Sequence, residues 1–456
     1  MDRAQEMSNR GIASLLWSFS LPAIVGMIVN SLYNVIDRIF VGRGIGPDAI
    51  AATTVAFPIM IILFAVAILI GVGATALISI RLGEQKHEEA EKIAGNATLM
   101  LILLPAFFAT IFFLYTEPVL IFFGASPNLL PLAKDFVQII MLGSVFASLS
   151  MGMNNFIRAE GNPKMAMYTQ LIGAFFNIIL NYVFIFIFAW GIKGSALATI
   201  TAQFISAAWV LSYFFTNKSI VKIKVKNFKL ELPILFSIMA IGFAPFALQV
   251  ASSVQQLILN RTLMTYGGDM ALSSIGIIFS IGTLLIMPIL GVSQGAQPII
   301  GFNYGAKQYG RVKETLKIAV LWAMCISCLG FIIVYLWPTQ LVGMFTKDEP
   351  ALVAMTVDAM LVYFGAIFVA GFQIVGSNYF QAVGKPIQAA ILSLSRQVLI
   401  FIPLLLILPD IWGIDGVWRT APIADILSIV LTGGFVLYEM RKLGNNEQRM
   451  LEVRAE

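Results

Sequence analysis

Long apolar stretches separated by short polar runs fill this chain almost from end to end. They lie near residues 12–40, 49–80, 95–115, 134–156, 165–189 and 194–215, and again near 232–263, 270–303, 318–338, 352–380, 387–409 and 416–440. A helix needs about 20 apolar residues to cross a hydrocarbon core about 30 Å thick. The pattern predicts an all-α polytopic membrane protein with twelve transmembrane helices. The longest stretches imply tilt, or ends that project beyond the bilayer. The first stretch follows Arg3 and Arg10, like the basic start of a signal peptide. It nevertheless runs past residue 30, carries Asp37 and is followed by many more stretches, so it reads as a permanent span.

Composition agrees with this pattern. Of the 456 residues, 59% are hydrophobic and 12% charged, with a mean hydropathy of +0.88. Soluble domains carry about 25% charged residues. A chain with so few charges covers its surface with lipid-facing side chains instead.

The formal net charge is +5 and the pI about 9.1, which in a soluble protein would suggest nucleic acid as a partner. The placement of the charges suggests otherwise. With the N-terminus inside, only Arg38, Arg43, Lys134, Lys193, Arg261, Lys347, Arg396 and Arg419 of the 29 basic residues lie in spans or outer loops. Basic residues concentrate in cytoplasmic loops. This bias predicts a multi-pass protein of the plasma (inner) membrane with both termini cytoplasmic, and no nucleic-acid partner. The Lys222–Lys229 cluster reads as a solvated cytoplasmic linker beside anionic headgroups.

The second half of the chain repeats the first at an offset of about 222 residues. Trp190-Gly191-Ile192-Lys193-Gly194 returns as Trp412-Gly413-Ile414-Asp415-Gly416, and Asn155 with Gly161-Asn162-Pro163 returns as Asn378 with Gly384-Lys385-Pro386. Gly73-Ala74 and Gly83 return as Gly295-Ala296 and Gly305, Pro22 as Pro245, and Asp37-Arg38 as Asn260-Arg261. Each repeat has six spans, so both begin on the same side of the membrane. Parallel repeats of this kind place transport sites between them near the midplane. The expected organisation is an N-terminal six-helix bundle over 1–215, a basic cytoplasmic linker over 216–231, a C-terminal six-helix bundle over 232–440 and a cytoplasmic tail over 441–456. The two bundles are expected to face a central cleft and alternate its access.

The repeat also locates polar groups that one half has and the other lacks. Asp37 corresponds to Asn260, and Asn177 and Asn181 correspond to Ile400 and Leu404. Asn177 and Asn181 are four residues apart and share a helix face. Their oxygens and the Thr199 hydroxyl are hard ligands suited to Na⁺, while a lone carboxylate can instead take up and release a proton. An ionisable residue inside a span is costly and marks a functional site by default. Pro22, upstream on the same helix, removes a backbone hydrogen bond and predicts a kink or hinge. In the second half, Gln256, Asn260, Gln294, Gln297 and Asp425 are candidates for a substrate cleft. Asp425 has two readings, attraction of a cationic substrate or a buried ion pair with Arg396.

These segments resemble the MATE (multidrug and toxic compound extrusion) family, within a wider superfamily that includes polysaccharide and lipid flippases. The resemblance rests on Leu21-Pro22, Leu32-Tyr33-Asn34 and Asp37, then Arg81-Leu82-Gly83-Glu84, Arg158-Ala159-Glu160-Gly161-Asn162-Pro163 and Asn177-Ile178-Ile179-Leu180-Asn181. It continues in Gly295-Ala296-Gln297-Pro298, Asn303-Tyr304-Gly305 and Gln381-Ala382-Val383-Gly384-Lys385-Pro386, and covers roughly residues 12–440. It implies export of small organic compounds, cationic or amphipathic, by a monomer in exchange for inward H⁺ or Na⁺. It assigns Asp37, Asn177, Asn181 and Thr199 to the coupling ion. Similar proteins often have Asp where this chain has Asn181. Another branch uses acids on the seventh and tenth helices, at positions near Ser253 and Gly371 here. A flippase for lipid-linked sugars, or an exporter of one dedicated metabolite, is the alternative.

No phosphate-binding loop, histidine cluster or Ser/His/Asp constellation is present to suggest an enzyme or an ATP-driven pump. H⁺ or Na⁺ is the coupling ion, and no other cofactor is expected. Cys325 and Cys328, the C-x-x-C pair, read as buried helix filler. Glu160, between Arg158 and Lys164, reads as a gate or loop ion pair.

Overall fold

A computed structural model describes residues 3–123, 125–216, 219–345 and 350–455. Its long helices follow the predicted spans closely. They are α1 (Ile12–Gly44), α2 (Pro47–Gly83), α3 (His87–Leu114), α4 (Leu130–Ala159), α5 (Pro163–Tyr182) and α6 (Gly191–Phe214). In the second half, α7 (Leu232–Gly268) and α8 (Met270–Gly305) meet at a kink on Gly268, where φ is 63°. They are followed by α9 (Tyr309–Leu336), α10 (Pro350–Tyr363 and Ala370–Ala382), α11 (Pro386–Leu394 and Ile402–Trp412) and α12 (Ile414–Ala455). Among the described residues, eleven helices are long and apolar enough to cross a membrane, and the bent α10 makes a twelfth.

The bend in α10 is not evident in the apolar pattern, which runs through it. Its two arms differ in direction by 44°. The ladder tightens there, with Gly365 N donating to Val362 O at 3.0 Å and Ile367 N to Phe364 O at 3.0 Å. The Leu361 carbonyl accepts a bond from the Tyr335 hydroxyl of α9 at 2.7 Å. A side chain supplying a bond to the ladder is one of the few causes of a sharp bend. Two further irregularities are π-helical turns, Val183–Ile187 after α5 and Ser395–Phe401 inside α11.

The repeat is visible in the backbone. Positive φ falls on Gly46 and Gly268, Gln85 and Lys307, Gly161 and Gly384, and Gly191 and Gly413, pairs separated by the same offset as the sequence matches. Equivalent residues also pack alike. Asn155 lies 3.1 Å from where a Cβ on Gly71 would stand, and its counterpart Asn378 donates to Ser293 at 2.6 Å.

The chain forms two compact units. The first is residues 1–8 and 25–246; the second is residues 9–24 and 247–456. Helices α1 and α7 therefore each change unit part-way, two residues after Pro22 and one residue after Pro245. Glycines explain why these helix starts dock where they do. In the first unit, a Cβ on Gly242 of α7 would stand 1.7 Å from the Leu69 carbonyl oxygen, and one on Gly73 would stand 2.1 Å from that of Ile238. In the second unit, a Cβ on Gly291 would stand 2.8 Å from Ile24 Cα, and one on Gly295 2.8 Å from Ser20 Cα. Small residues let helix backbones approach this closely, which is how helices associate in lipid. Gly73 and Gly295, which mark the repeat in sequence, are thus the docking points. The start of α1 is further held in the second unit by edge-to-face packing of Trp17 on Trp322 at 5.7 Å and by Arg311 donating to the Arg10 carbonyl at 2.8 Å.

Each unit has its own apolar core. One gathers Val41, Ile59, Phe136, Ile140 and Ile185; the other gathers Leu259, Ile278, Phe364, Phe401 and Trp418. The cysteines depart from expectation. Cys325 is exposed and Cys328 half-buried, so the pair lies on the outward side of α9, where an apolar thiol suits lipid contact. Both are free, and among the described residues no group of three His, Cys, Asp or Glu could hold a metal.

The linker is not a freely solvated segment. In the turn after α4, Glu160 is fully buried. One of its oxygens accepts from Ser219 Oγ at 2.8 Å, Ile220 N at 2.9 Å and Val221 N at 3.1 Å, and the other from the Tyr213 hydroxyl. Asn162 donates to the same Tyr213 oxygen at 3.2 Å. Glu160 therefore fastens the chain leaving α6. In the second unit the equivalent loop is fastened with the charges exchanged, Lys385 on the loop bonding Glu439 on α12.

Candidate functional site

Two helices of the first unit carry the polar residues singled out by the repeat, and a third closes the group. Asn177 and Asn181 lie one turn apart on α5, where the four-residue spacing stacks their amides. Asn181 sits just before the π-helical turn at Val183–Ile187. Such turns often accompany functional sites, because the extra residue re-aims the side chains next to it. Asp37 lies on α1 and Thr199 on α6.

The four residues form one hydrogen-bonded string. Asn181 Nδ2 donates to Asp37 Oδ1 at 2.7 Å and to Asn177 Oδ1 at 3.0 Å, and Asn177 Nδ2 donates to Thr199 Oγ1 at 3.4 Å. Asn181 is fully buried and Asn177 is 4% exposed. A carboxamide has two N–H donors and one oxygen acceptor. Both donors of Asn181 are used, which fixes its orientation. Its oxygen Oδ1 is buried without a hydrogen-bond partner. A buried polar atom left unsatisfied costs about 1–3 kcal/mol. Carboxylate, carboxamide and hydroxyl oxygens together make a hard donor set, which suits a small alkali cation. The same carboxylate can accept a proton. The side chain of Arg38, next to Asp37 in the chain, lies outside the described residues.

Of the two acid positions of the other branch, the one on α10 is closed here, while Ser253 on α7 is exposed. A Cβ on Gly371 would stand 2.4 Å from the Ala323 carbonyl oxygen, so any side chain there would force α9 and α10 apart.

The second-half candidates do not converge in the same way. Gln256 Nε2 donates to Asn260 Oδ1 at 3.0 Å, one turn apart on α7. Gln294 and Gln297 lie on α8, and Gln297 Nε2 is buried without a partner. Asp425 on α12 is paired, with Arg396 Nε donating to its Oδ1 at 2.5 Å. Sequence reasoning passed over the crossing of α7 and α11, where Ser252 and Gln397 exchange hydrogen bonds at 3.0 and 3.2 Å. It also passed over Tyr266, which donates to Asp410 at 2.5 Å. The offset of about 144 residues between these partners is a tertiary signal with no counterpart in local pattern.

Comparison with known proteins supports this architecture. The MatE family model matches residues 22–183 and 245–407, one block in each repeat. The multidrug export protein MepA of Staphylococcus aureus strain N315 is 27% identical over 423 residues, covering 93% of each chain. MepA of Staphylococcus haemolyticus strain JCSC1435 is 27% identical over 448 residues, covering 97% of each. Among solved structures, a multidrug resistance MATE family transporter of the MOP superfamily in its outward-facing conformation superposes with a TM-score of 0.90 at 24% identity, over 98% of this chain and 99% of that one. A MOP superfamily transporter from Pyrococcus furiosus does so at 0.91 and 23%, over 97% and 99%. At that identity the likeness speaks for the fold.

Proposed function

The chain belongs to the MATE family of secondary transporters, and we propose that it exports small organic compounds, cationic or amphipathic, in exchange for a cation bound at Asp37, Asn177, Asn181 and Thr199. The observation that carries this reading is the string in which one acid, two buried carboxamides and a hydroxyl from three helices meet, a set of hard oxygen donors inside the spans. H⁺ and Na⁺ act on different atoms here. A proton goes to Asp37 and weakens its acceptance from Asn181, whereas Na⁺ takes Asp37 and the free Asn181 oxygen together. The multidrug export named for the staphylococcal relatives supports a broad substrate range.

The basic residues on the loops after α2, α4, α8 and α10 and on the linker support placing that face in the cytoplasm of the plasma membrane, with both termini there. Pro22 lies two residues before α1 changes unit, which supports reading it as a hinge.

The test is efflux of a fluorescent organic cation from reconstituted vesicles under separate pH and Na⁺ gradients, with wild type beside Asp37→Asn. Efflux that follows one gradient and is lost in the variant identifies the ion and the site. Gradient-driven efflux at wild-type rate in Asp37→Asn would remove the site, and no efflux of any cation under either gradient would remove the substrate class.

A further inference from the structure

The linker between α6 and α7 reads V-K-I-K-V-K-N-F-K over residues 221–229. Residues 221–224 run without helix, and Val225–Asn227 make one 3₁₀ turn. Here Val221, Ile223 and Asn227 are buried, while Lys222, Lys226 and Lys229 are exposed. The segment is held against the first unit at three places: Glu160 at Ser219 to Val221, Glu91 in an ion pair with Lys224 at 2.5 Å, and Asn96 Oδ1 accepting from Glu231 N at 2.8 Å. Between the last two it presses on α3, where a Cβ on Gly95 would stand 2.6 Å from the Asn227 carbonyl oxygen. The lysines are thus mounted on a fixed strip.

The depth of the strip matters. Helix α3 has 28 residues, about 42 Å at 1.5 Å per residue, longer than a hydrocarbon core of about 30 Å. Its first turns, His87 to Lys92, are mostly polar, and its apolar run begins near residue 95. Glu91, Gly95 and Asn96, which hold the strip, bracket that start. The strip runs at the boundary of headgroups and hydrocarbon, from which lysine stems reach up to the phosphates. Lys224 is neutralised by Glu91, and the turn between α2 and α3 neutralises itself through Arg81, Glu84, Lys86 and Glu89. Among the described residues, Lys222, Lys226 and Lys229 form no ion pair, and no acid interrupts residues 219–230.

We propose that this strip is a binding site for anionic phospholipid, with Lys222, Lys226 and Lys229 as its phosphate contacts. The site lies in the leaflet that meets the linker, and it needs only that the helices cross a bilayer, not the transport reading above. Each lysine near a charged surface contributes about fivefold, so three favour anionic over zwitterionic lipid on the order of a hundredfold.

The test uses full-length protein reconstituted into vesicles of phosphatidylethanolamine and phosphatidylglycerol, extracted in mild detergent, with retained lipid quantified by mass spectrometry. Wild type is expected to retain phosphatidylglycerol selectively. Lys222→Gln/Lys226→Gln/Lys229→Gln is expected to retain both lipids alike, while the triple arginine replacement and Lys193→Gln, outside the strip, keep the selectivity. Equal phosphatidylglycerol retention by the triple glutamine variant, or loss in the triple arginine variant, overturns the proposal.

Discussion

Asn181 gives one amide hydrogen to Asp37 at 2.7 Å and the other to Asn177, leaving its own oxygen as a buried acceptor without a donor. The relation predicts distinct outcomes for two substitutions. Asn181→Leu removes both the donor that orients Asp37 and the free oxygen. A hydrogen bond to a charged group is worth about 1.5–3 kcal/mol, so ion-driven efflux should fall roughly tenfold to a hundredfold. Asn181→Asp places a second carboxylate beside the first. Two such groups cannot both ionise, and one keeps its proton. The pH dependence of efflux should then differ from that of the wild type. An unchanged pH profile in Asn181→Asp would show that the two side chains do not meet in the working protein.

Burial pushes the Glu160 carboxyl above the ordinary carboxyl value of 4.5, against the opposing bonds from Tyr213, Val221, Ser219 and Ile220. Between that value and its own raised one, the folded protein holds a proton that the unfolded chain releases, so stability falls as pH rises through this window. Hydrogen-exchange protection of the Ile220 and Val221 amides, corrected for intrinsic rates, should increase as pH drops from neutral toward the ordinary carboxyl range. Glu160→Gln keeps an acceptor oxygen for the linker and should abolish the slope. An identical slope in that variant would mean that another group titrates.

The spans were legible because a helix in lipid must satisfy its own backbone and show apolar side chains for its whole length. Asp37, Asn177 and Asn181 were legible because the repeat supplied a counterpart lacking them. The break in α10 was not, since it depends on the Tyr335 hydroxyl reaching the Leu361 carbonyl rather than on a proline. The role of Glu160 was missed for a similar reason. Its partners include two backbone amides and two hydroxyls, which leave no charge pattern in the chain. The exchange of helix starts was half legible: Pro22 and Pro245 marked the places, but the docking of Gly242 on α2 required coordinates.

Arg396 and Asp425 form an ion pair with side chains only 26% and 11% exposed. Removing one partner of a buried pair leaves a charge stranded and costs about 3–5 kcal/mol, whereas replacing both by apolar groups is often neutral. Arg396→Met and Asp425→Leu should each lower the thermal midpoint, and the double variant should recover most of the loss. Transport of cationic and neutral substrates should fall in parallel with folded protein. A selective loss of cationic substrates in Asp425→Asn would instead assign this acid to recognition.

Gly242 and Gly295 mark equivalent dockings, the start of α7 on α2 and the start of α1 on α8. A Cβ at Gly242 would stand 1.7 Å from the Leu69 carbonyl oxygen, and one at Gly295 2.7 Å from the Ser20 backbone nitrogen. Neither obstacle is a flexible side-chain end, so the helices themselves must separate. Overpacking of this kind costs about 1–3 kcal/mol. Gly242→Ala and Gly295→Ala should therefore each lower the thermal midpoint in detergent, Gly242→Ala more because its clash is closer. Gly433→Ala is the matched control: its Cβ meets nothing within 4 Å on α12, and alanine favours the helix over glycine by about 1 kcal/mol. Its midpoint should hold or rise. Three equal midpoints would mean that the helix starts do not pack backbone to backbone, and that the exchange of segments rests on other contacts.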